Sequence, residues 1–236
     1  MIRALIVDDE LHAREELEAL LAETGEFHLV GSCGNAVEAL RQIRAEAPDV
    51  VFLDVHMPAV SGFELLSMID PEVMPNVVFV TAYDAYAVKA FEENALDYLV
   101  KPVEKHRLAK TVRKLKESDV KGGHPIYDTP EIRNIPCVMT NRIKLIGISE
   151  VEYVRSDLAG VYVVCPKGQF FTELTLKVLE NKTNLFRAHK QFLVNLDQVD
   201  EILVQDNLLA EIKMKSGAAV PVSRRFFKKL KETLGI

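Results

Sequence analysis

Phe52-Leu53-Asp54-Val55-His56-Met57-Pro58 is the stretch on which the reading of this chain turns. An apolar run ends in a single carboxylate, and Pro58 brings a turn soon afterwards. With Asp49-Val50-Val51 before it, the run is apolar at nearly every position, the texture of a strand covered on both faces. Working outward, the same texture recurs at Ala4–Val7, His28–Cys33, Asn76–Thr81 and Ala95–Lys101. Between these runs the apolar residues fall at helical spacing. They are Leu11, Leu17, Leu20 and Leu21; Val37, Leu40 and Ile43 up to Pro48; Ser61 to Ile69 with Ser61 as cap; Ala85 to Phe91; and Leu108, Val112 and Leu115. Alternating buried strands and amphipathic helices predict a doubly wound α/β domain with a five-stranded parallel sheet. In such a sheet all strands end at one edge, where ligands bind. Asp8, Asp9, Asp54, Thr81 and Lys101 all stand at strand carboxyl ends.

Three carboxylates gathered at one partly desolvated edge repel one another. A hard divalent cation with oxygen ligands relieves that repulsion, and Mg²⁺ held by carboxylates, a backbone carbonyl, waters and a phosphate oxygen suits the need. Asp54 is then the nucleophile that accepts a phosphoryl group. A Lys ammonium neutralises the phosphoryl oxygens beside the metal, and a Thr hydroxyl bonds one of them. Taken singly, each residue has a plainer role: helix cap for Asp8 or Asp9, strand filler for Thr81, solvated strand end for Lys101, core aromatic for Tyr98. Their joint occurrence at one edge favours the chemical reading.

The chain of 236 residues has room for two ordinary domains. Its net charge of −6 is unevenly spread. Residues 1–118 hold 12 Lys+Arg against 21 Asp+Glu, and residues 119–236 hold 17 against 14, so the halves carry −9 and +3. Opposite charge balances imply different partners for the two halves. Cys33, Cys137 and Cys165 have neither disulfide-framework nor zinc spacing. The absence of a signal-like start and of a long apolar run leads to the expectation of a cytoplasmic protein without a membrane partner.

Residues 118–134, with Gly122, Gly123, Pro125 and Pro130, read as a linker. Beyond them the pattern is mainly β. Strands are predicted at Arg142–Ile146, Val151–Ser156, Val161–Cys165, Phe170–Glu173, Gln198–Gln205, Leu208–Met214 and Ala219–Val222. Turns at Gly160, Lys167-Gly168, Asp206-Asn207 and Ser216-Gly217 separate them, and short helices fit Thr175–Leu179 and Arg224–Leu234. The last helix begins Arg224-Arg225-Phe226-Phe227-Lys228-Lys229-Leu230-Lys231, five cations in eight residues around an apolar face. Such a patch suits DNA phosphates, and equally a solvated helix.

Asp8-Asp9, the strand ending at Asp54 with Met57-Pro58 and Gly62, Thr81-Ala82, and Tyr98-Leu99-Val100-Lys101-Pro102 together resemble the receiver domain of two-component response regulators. The resemblance covers residues 1 to about 117. It implies Asp54 as phosphoacceptor for a sensor histidine kinase, and Asp8, Asp9 and the backbone carbonyl of His56 as further Mg²⁺ ligands. It also implies Thr81 and Tyr98 as a switch pair, Lys101 as a phosphate contact, a cis bond before Pro102, and a homodimer after phosphorylation. Arg187-Ala188-His189-Lys190-Gln191-Phe192-Leu193-Val194-Asn195 and Val220-Pro221-Val222-Ser223-Arg224-Arg225 resemble the LytTR DNA-binding domain. The whole chain is similar to the LytR/AlgR class of regulators, and to one enterobacterial group within it. That resemblance implies residues 135–236 as a mainly β reader of double-stranded DNA. It places base contacts at Lys190 and Arg225, with His189, Arg224 and Lys228 beside them. Some members have a histidine in the first contact loop, near Ser156 to Gly160, where this chain has Asp157 and Gly160. Lys190 stands where some relatives have asparagine. The class implies regulation of transcription rather than an enzyme.

Two other functions fit parts of the pattern. Haloacid-dehalogenase phosphatases also use an Asp nucleophile with Thr and Lys on a parallel sheet, but place the nucleophile after the first strand as Asp-x-Asp. Here that strand ends Asp8-Asp9-Glu10. The second half could also serve as a protein-interaction module.

Overall fold

The computed structural model describes residues 1–82, 95–119, 125, 127, 129–204 and 210–235. The expected helix Ala85–Phe91, the turn Asp206-Asn207 and most of the glycine-rich stretch lie outside the described residues. The chain divides into two compact units, Met1–Pro130 and Glu131–Ile236.

In the first unit β1 (Ile2–Val7), β2 (Phe27–Cys33), β3 (Val50–Leu53), β4 (Asn76–Thr81) and β5 (Asp97–Val100) form one sheet in the order β2-β1-β3-β4-β5. Every pairing is parallel. Among the described residues its α-helices are α1 (Leu11–Thr24), α2 (Ala36–Glu46), α3 (Gly62–Met68) and α4 (Lys105–Asp119). β3 and β4 are buried almost throughout because helices cover both sheet faces, which is why these strands carry no polar alternation. One core joins Ala4, Ile6, Phe52, Val78 and Leu99 of the sheet to Leu17 and Leu21 of α1 and Leu108, Val112 and Leu115 of α4. Short local signals set the helix ends. Ser61 and Glu64 form a reciprocal capping box on α3, and Asn35 accepts from the Glu38 amide at the start of α2. Ala47 adopts a left-handed conformation (φ 42°) and closes α2 before Pro48.

Tyr127 belongs to the stretch expected as linker, yet its side chain is buried in the first unit. Its Oη accepts from the Val77 amide (2.8 Å) and donates to the Pro75 carbonyl (3.2 Å). It thereby satisfies backbone groups at the start of β4.

The second unit holds a seven-stranded sheet in the order β11-β12-β8-β9-β10-β6-β7 and a three-stranded sheet β13-β14-β15. Its strands are β6 (Asn134–Met139), β7 (Arg142–Gly147), β8 (Tyr153–Asp157), β9 (Gly160–Cys165), β10 (Gly168–Thr172), β11 (Phe186–His189), β12 (Phe192–Val194), β13 (Val199–Val204), β14 (Ala210–Met214) and β15 (Ala219–Val222). Helices α5 (Leu176–Lys182) and α6 (Arg224–Leu234) complete the unit, α5 being capped by Thr175. Phe227 and Leu230 of α6 pack with Phe186, Ala188, Ile212 and Val220, so its cations are left on the outer face.

Three of these strands were not legible in the residues. β6 contains Pro136, which ordinarily argues against a strand. It is accommodated because β10 pairs only with Cys137 and Val138, so Pro136 lies past the end of that ladder. β11 and β12 are short, and turn-forming polar residues separate them. Their strand character comes from pairing with each other and with β8.

Candidate functional sites

The register of the parallel sheet assembles the acidic site. Val7 of β1 is level with Leu53 of β3, so the next residues, Asp8 and Asp54, leave the sheet side by side. Thr81 of β4 is level with Val100 of β5, which brings Lys101 to the same edge. Backbone bonds hold the strand exits: Asp54 N–H to Val7 O (2.8 Å), Asp8 N–H to Cys33 O (3.0 Å) and Lys101 N–H to Thr81 O (2.9 Å). Asp8, Asp54 and Thr81 are buried, while Asp9 is exposed.

Lys101 is the electrostatic centre of this edge. Its Nζ lies 2.6 Å from Asp8 Oδ2 and 3.0 Å from Asp54 Oδ2. Burial by itself would lower its pKa, but the hydrogen bonds it donates to the two carboxylates outweigh that, and the ammonium is held above its usual range. Burial pushes the Asp8 carboxyl up, against the pull of Lys101 and of the Glu10 amide, which donates to Asp8 Oδ1 at 2.9 Å. The His56 amide donates to Asp54 Oδ1 at 3.2 Å, and the His56 side chain is exposed, so only its backbone faces the site. Carboxylate oxygens of Asp8, Asp9 and Asp54 lie within 4.8 Å of one another. Three carboxylates against one ammonium leave surplus negative charge on all-oxygen donors, and this set fits a hard divalent cation such as Mg²⁺. The Lys101–Pro102 bond is cis, and Tyr98 is buried on β5 level with Phe79.

Two supports of this edge went unread in the residues. Arg14, one turn into α1, donates from Nη1 to the Asp8 carbonyl at 2.6 Å and braces the end of β1. Its signal, a cation six residues after Asp8, is lost among the charges of α1. Gly62 sits so close that a Cβ there would meet the Asp54 carbonyl oxygen at 2.3 Å. Gly62 opens α3 and its amide donates to Val55 O (2.9 Å), so no side chain can be fitted without moving the loop that follows Asp54.

In the second unit the residues expected to contact DNA come together at one end of the seven-stranded sheet. β11 and β12 form a hairpin whose turn is Lys190-Gln191, and Lys190 is exposed at its tip. Arg187 holds that turn through Nη2 to the Lys190 carbonyl (2.7 Å), and it also faces Glu180 at 3.5 Å. His189 Nδ1 accepts from the Gln191 amide (3.2 Å). Burial, then the charges of Lys190 and Arg187, lower its pKa, so the ring is neutral near pH 7 with its proton on Nε2. The Ser223 amide donates to the Ala188 carbonyl (2.9 Å), setting the start of α6 against this hairpin. Arg224, Arg225 and Lys228 are exposed there. The rest of the Arg187–Asn195 stretch is structural: Ala188, Leu193 and Val194 are core, and Asn195 Nδ2 donates to the carbonyls of Ile148 (3.2 Å) and Val151 (2.9 Å).

Comparison with known proteins agrees with this division of labour. Residues 4–113 match the response regulator receiver domain, and residues 141–235 match the LytTr DNA-binding domain. The chain is 53% identical over its whole length to an uncharacterized response regulatory protein of Vibrio cholerae serotype O1, covering 99% of that protein. It is 47% identical, with full coverage of both, to the transcriptional regulatory protein BtsR of Salmonella typhi, and 46% identical to BtsR of Escherichia coli K12. Among solved structures, the response regulatory domain of mrkE from Klebsiella pneumoniae aligns with 51% of the chain at 31% identity and a TM-score of 0.46, with all of that domain covered. The chain therefore belongs to the response regulators that join a receiver domain to a LytTR DNA-binding domain, a family of transcriptional regulators rather than enzymes.

Proposed function

We propose that a sensor histidine kinase phosphorylates Asp54, and that the phosphorylated protein dimerises and binds promoter DNA. The observation that supports this best is the meeting of Asp8, Asp54 and Lys101 within hydrogen-bond distance at the sheet edge, with Thr81 buried beside them. Asp54 Oδ attacks the phosphorus of the donor's phosphohistidine, the P–N bond breaks, and an aspartyl phosphate remains. Lys101 is already paired with Asp54 and stays in place to neutralise the arriving phosphoryl oxygens. Asp8, Asp9, Asp54 and the His56 carbonyl would hold Mg²⁺, which supplies charge neutralisation during the transfer. The Thr81 hydroxyl then bonds a phosphate oxygen, and Tyr98, on the neighbouring strand, repacks with it. The face that carries the signal onward lies beside β5.

The functional division runs from a receiver over residues 1–117, through a connecting segment at 118–134, to a DNA-binding module over 135–236. Lys190 and Arg225 contact base edges, with His189 beside them, while Arg224 and Lys228 grip phosphates. The setting is the cytoplasm, where kinase and DNA are both accessible; no helix among the described residues is long and apolar enough to cross a membrane.

The test is occupancy of genomic DNA by the full chain, with and without a phosphodonor, beside an Asp54→Ala control. The reading expects phosphorylation to raise occupancy and the control to lose that response. Equal occupancy in both would sink the coupling of the two domains.

A further inference from the structure

The Lys190-Gln191 turn is pinned through its backbone on three sides. The Lys190 carbonyl accepts from Arg187 Nη2 (2.7 Å), the Gln191 amide donates to His189 Nδ1 (3.2 Å), and the Gln191 carbonyl accepts from the Ser156 amide (2.9 Å). These bonds fix the path of the chain and leave Lys190 exposed at the tip. The β11–β12 ladder also shifts register between Arg187 and His189. Such a bulge re-aims side chains, and here it accompanies an arginine that reaches forward three residues to the turn.

His189 and Ser156 hold the turn from within the sheet, whereas Arg187 reaches beyond it. Arg187 is level with the fully buried Leu193. Its Nη1 is buried too, has no hydrogen-bond partner among the described residues, and faces Glu180 Oε2 of α5 at 3.5 Å. α5 is a fixed base, capped by Thr175 and seated on buried Leu176, Val178 and Leu179. A buried charged donor without a hydrogen bond is costly, and in a folded protein it calls for a reason. As mere filling beside Leu193, an apolar side chain would serve better. The reason lies in the other arm of the fork. A planar guanidinium presents one nitrogen to the turn carbonyl and another toward the carboxylate, which no other side chain does at once. The turn is thereby tied to a rigid element, as a precise reading site requires.

We infer that Arg187 is a positioning residue for base readout, fixing the Lys190 turn to α5 through Glu180 without itself touching DNA. The inference rests on the DNA-binding reading given above and deepens it. In the test, the full chain enriches short duplexes from a random pool, and binding is then measured to the enriched duplex and to its single base-pair variants. Lys190→Ala marks the base pairs that Lys190 reads, as those where preference is lost. At those base pairs Arg187→Met cuts the preference by about tenfold, the weight of one specific contact. The double variant loses no more than Lys190→Ala alone, because the two residues act as one unit. Arg187→Met also leaves the salt slope of binding unchanged, whereas a lost phosphate contact lowers it by about one. Glu180→Gln gives a smaller loss at the same base pairs. Arg187→Lys, with one ammonium for two partners, carries the same expectation where Arg187→Met melts early. The inference is overturned if the Arg187 variants weaken all duplexes alike, which marks a merely structural residue, or if they lower the salt slope, which marks a phosphate contact. Glu180→Gln binding as the parent does overturns the tie to α5. Arg187 variants without effect where Lys190→Ala has one remove only this inference. If Lys190→Ala leaves preference intact, the base contact assigned to Lys190 falls and this inference with it. A pool that enriches nothing removes the DNA-binding reading as well.

Discussion

Lys101 illustrates how much one side chain can decide at the residue scale. It is the ammonium shared by two buried carboxylates, so removing it leaves Asp8 and Asp54 facing each other without compensation. Lys101→Ala is expected to slow phosphorylation of Asp54 by a small-molecule phosphodonor by about 100-fold. The same variant should gain more thermal stability from added Mg²⁺ than the parent does, because the metal then replaces a missing charge. Phosphorylation rates and melting curves with and without Mg²⁺ check both outcomes; a variant indifferent to Mg²⁺ would remove the charge-balance account. Gly62 is the steric counterpart. Gly62→Ala is expected to lower stability by about 1–3 kcal/mol, since a Cβ placed 2.3 Å from the Asp54 carbonyl must displace backbone. Denaturant unfolding of the two proteins measures it. Asp54 and Lys101 were legible because strand texture and chain order alone put them at one edge. Arg14 and the steric demand on Gly62 were not, because both depend on distances that no local pattern encodes.

At the element scale, α4 is fastened to β5 through one buried carboxylate. Asp97 accepts from Lys114 (2.8 Å), Arg107 (3.3 Å) and the Thr111 hydroxyl (2.7 Å). Burial would raise its pKa, but the bonds from Lys114, Thr111 and the Tyr98 amide outweigh it and hold the carboxyl below its usual range. A lowered folded-state pKa means that the contribution is present above the unfolded carboxyl value and is lost as pH falls through the folded one. Stability of the receiver is therefore expected to fall as pH drops below about 4. Asp97→Asn should flatten that part of the profile, as followed by denaturant midpoints across pH. Tyr127 fastens the connecting segment in a similar way at the start of the neighbouring strand β4, where Val78 is level with Asp97. Tyr127→Phe leaves the Val77 amide without its acceptor and is expected to cost about 1–3 kcal/mol of first-unit stability by the same measurement. The helices and long strands of this unit were readable from periodicity. β6, β11 and β12 were not, because Pro136 and the polar turn at Lys190-Gln191 oppose strand propensity locally. Pairing within the sheet, β6 with β7 and β10, β11 with β12, and β12 with β8, overrides it.

At the scale of the whole molecule, an acidic receiver half is joined to a basic half that matches the LytTR DNA-binding domain. Arg224→Ala is expected to weaken binding about equally across DNA sequences and to lower the salt slope by about one, as for a single lost phosphate contact. Arg225→Ala should instead relax base preference. Titrations over a range of salt concentrations distinguish the two, and identical behaviour would contradict the division between phosphate grip and base readout. The residues alone were enough for the fold class, the two-part organisation and the carboxylate–lysine edge, because apolar periodicity and the order of strand ends are local properties of the chain. They left open which side chains of Arg187–Asn195 and Ser223–Lys228 are core and which face outward. They also left unread the bracing of Asp8 by Arg14, the burial of Tyr127, and the setting of the start of α6 against the β11–β12 hairpin. Those outcomes depend on sheet register and on hydrogen bonds between residues far apart in sequence. Only the folded packing brings such groups within the few ångströms at which they act.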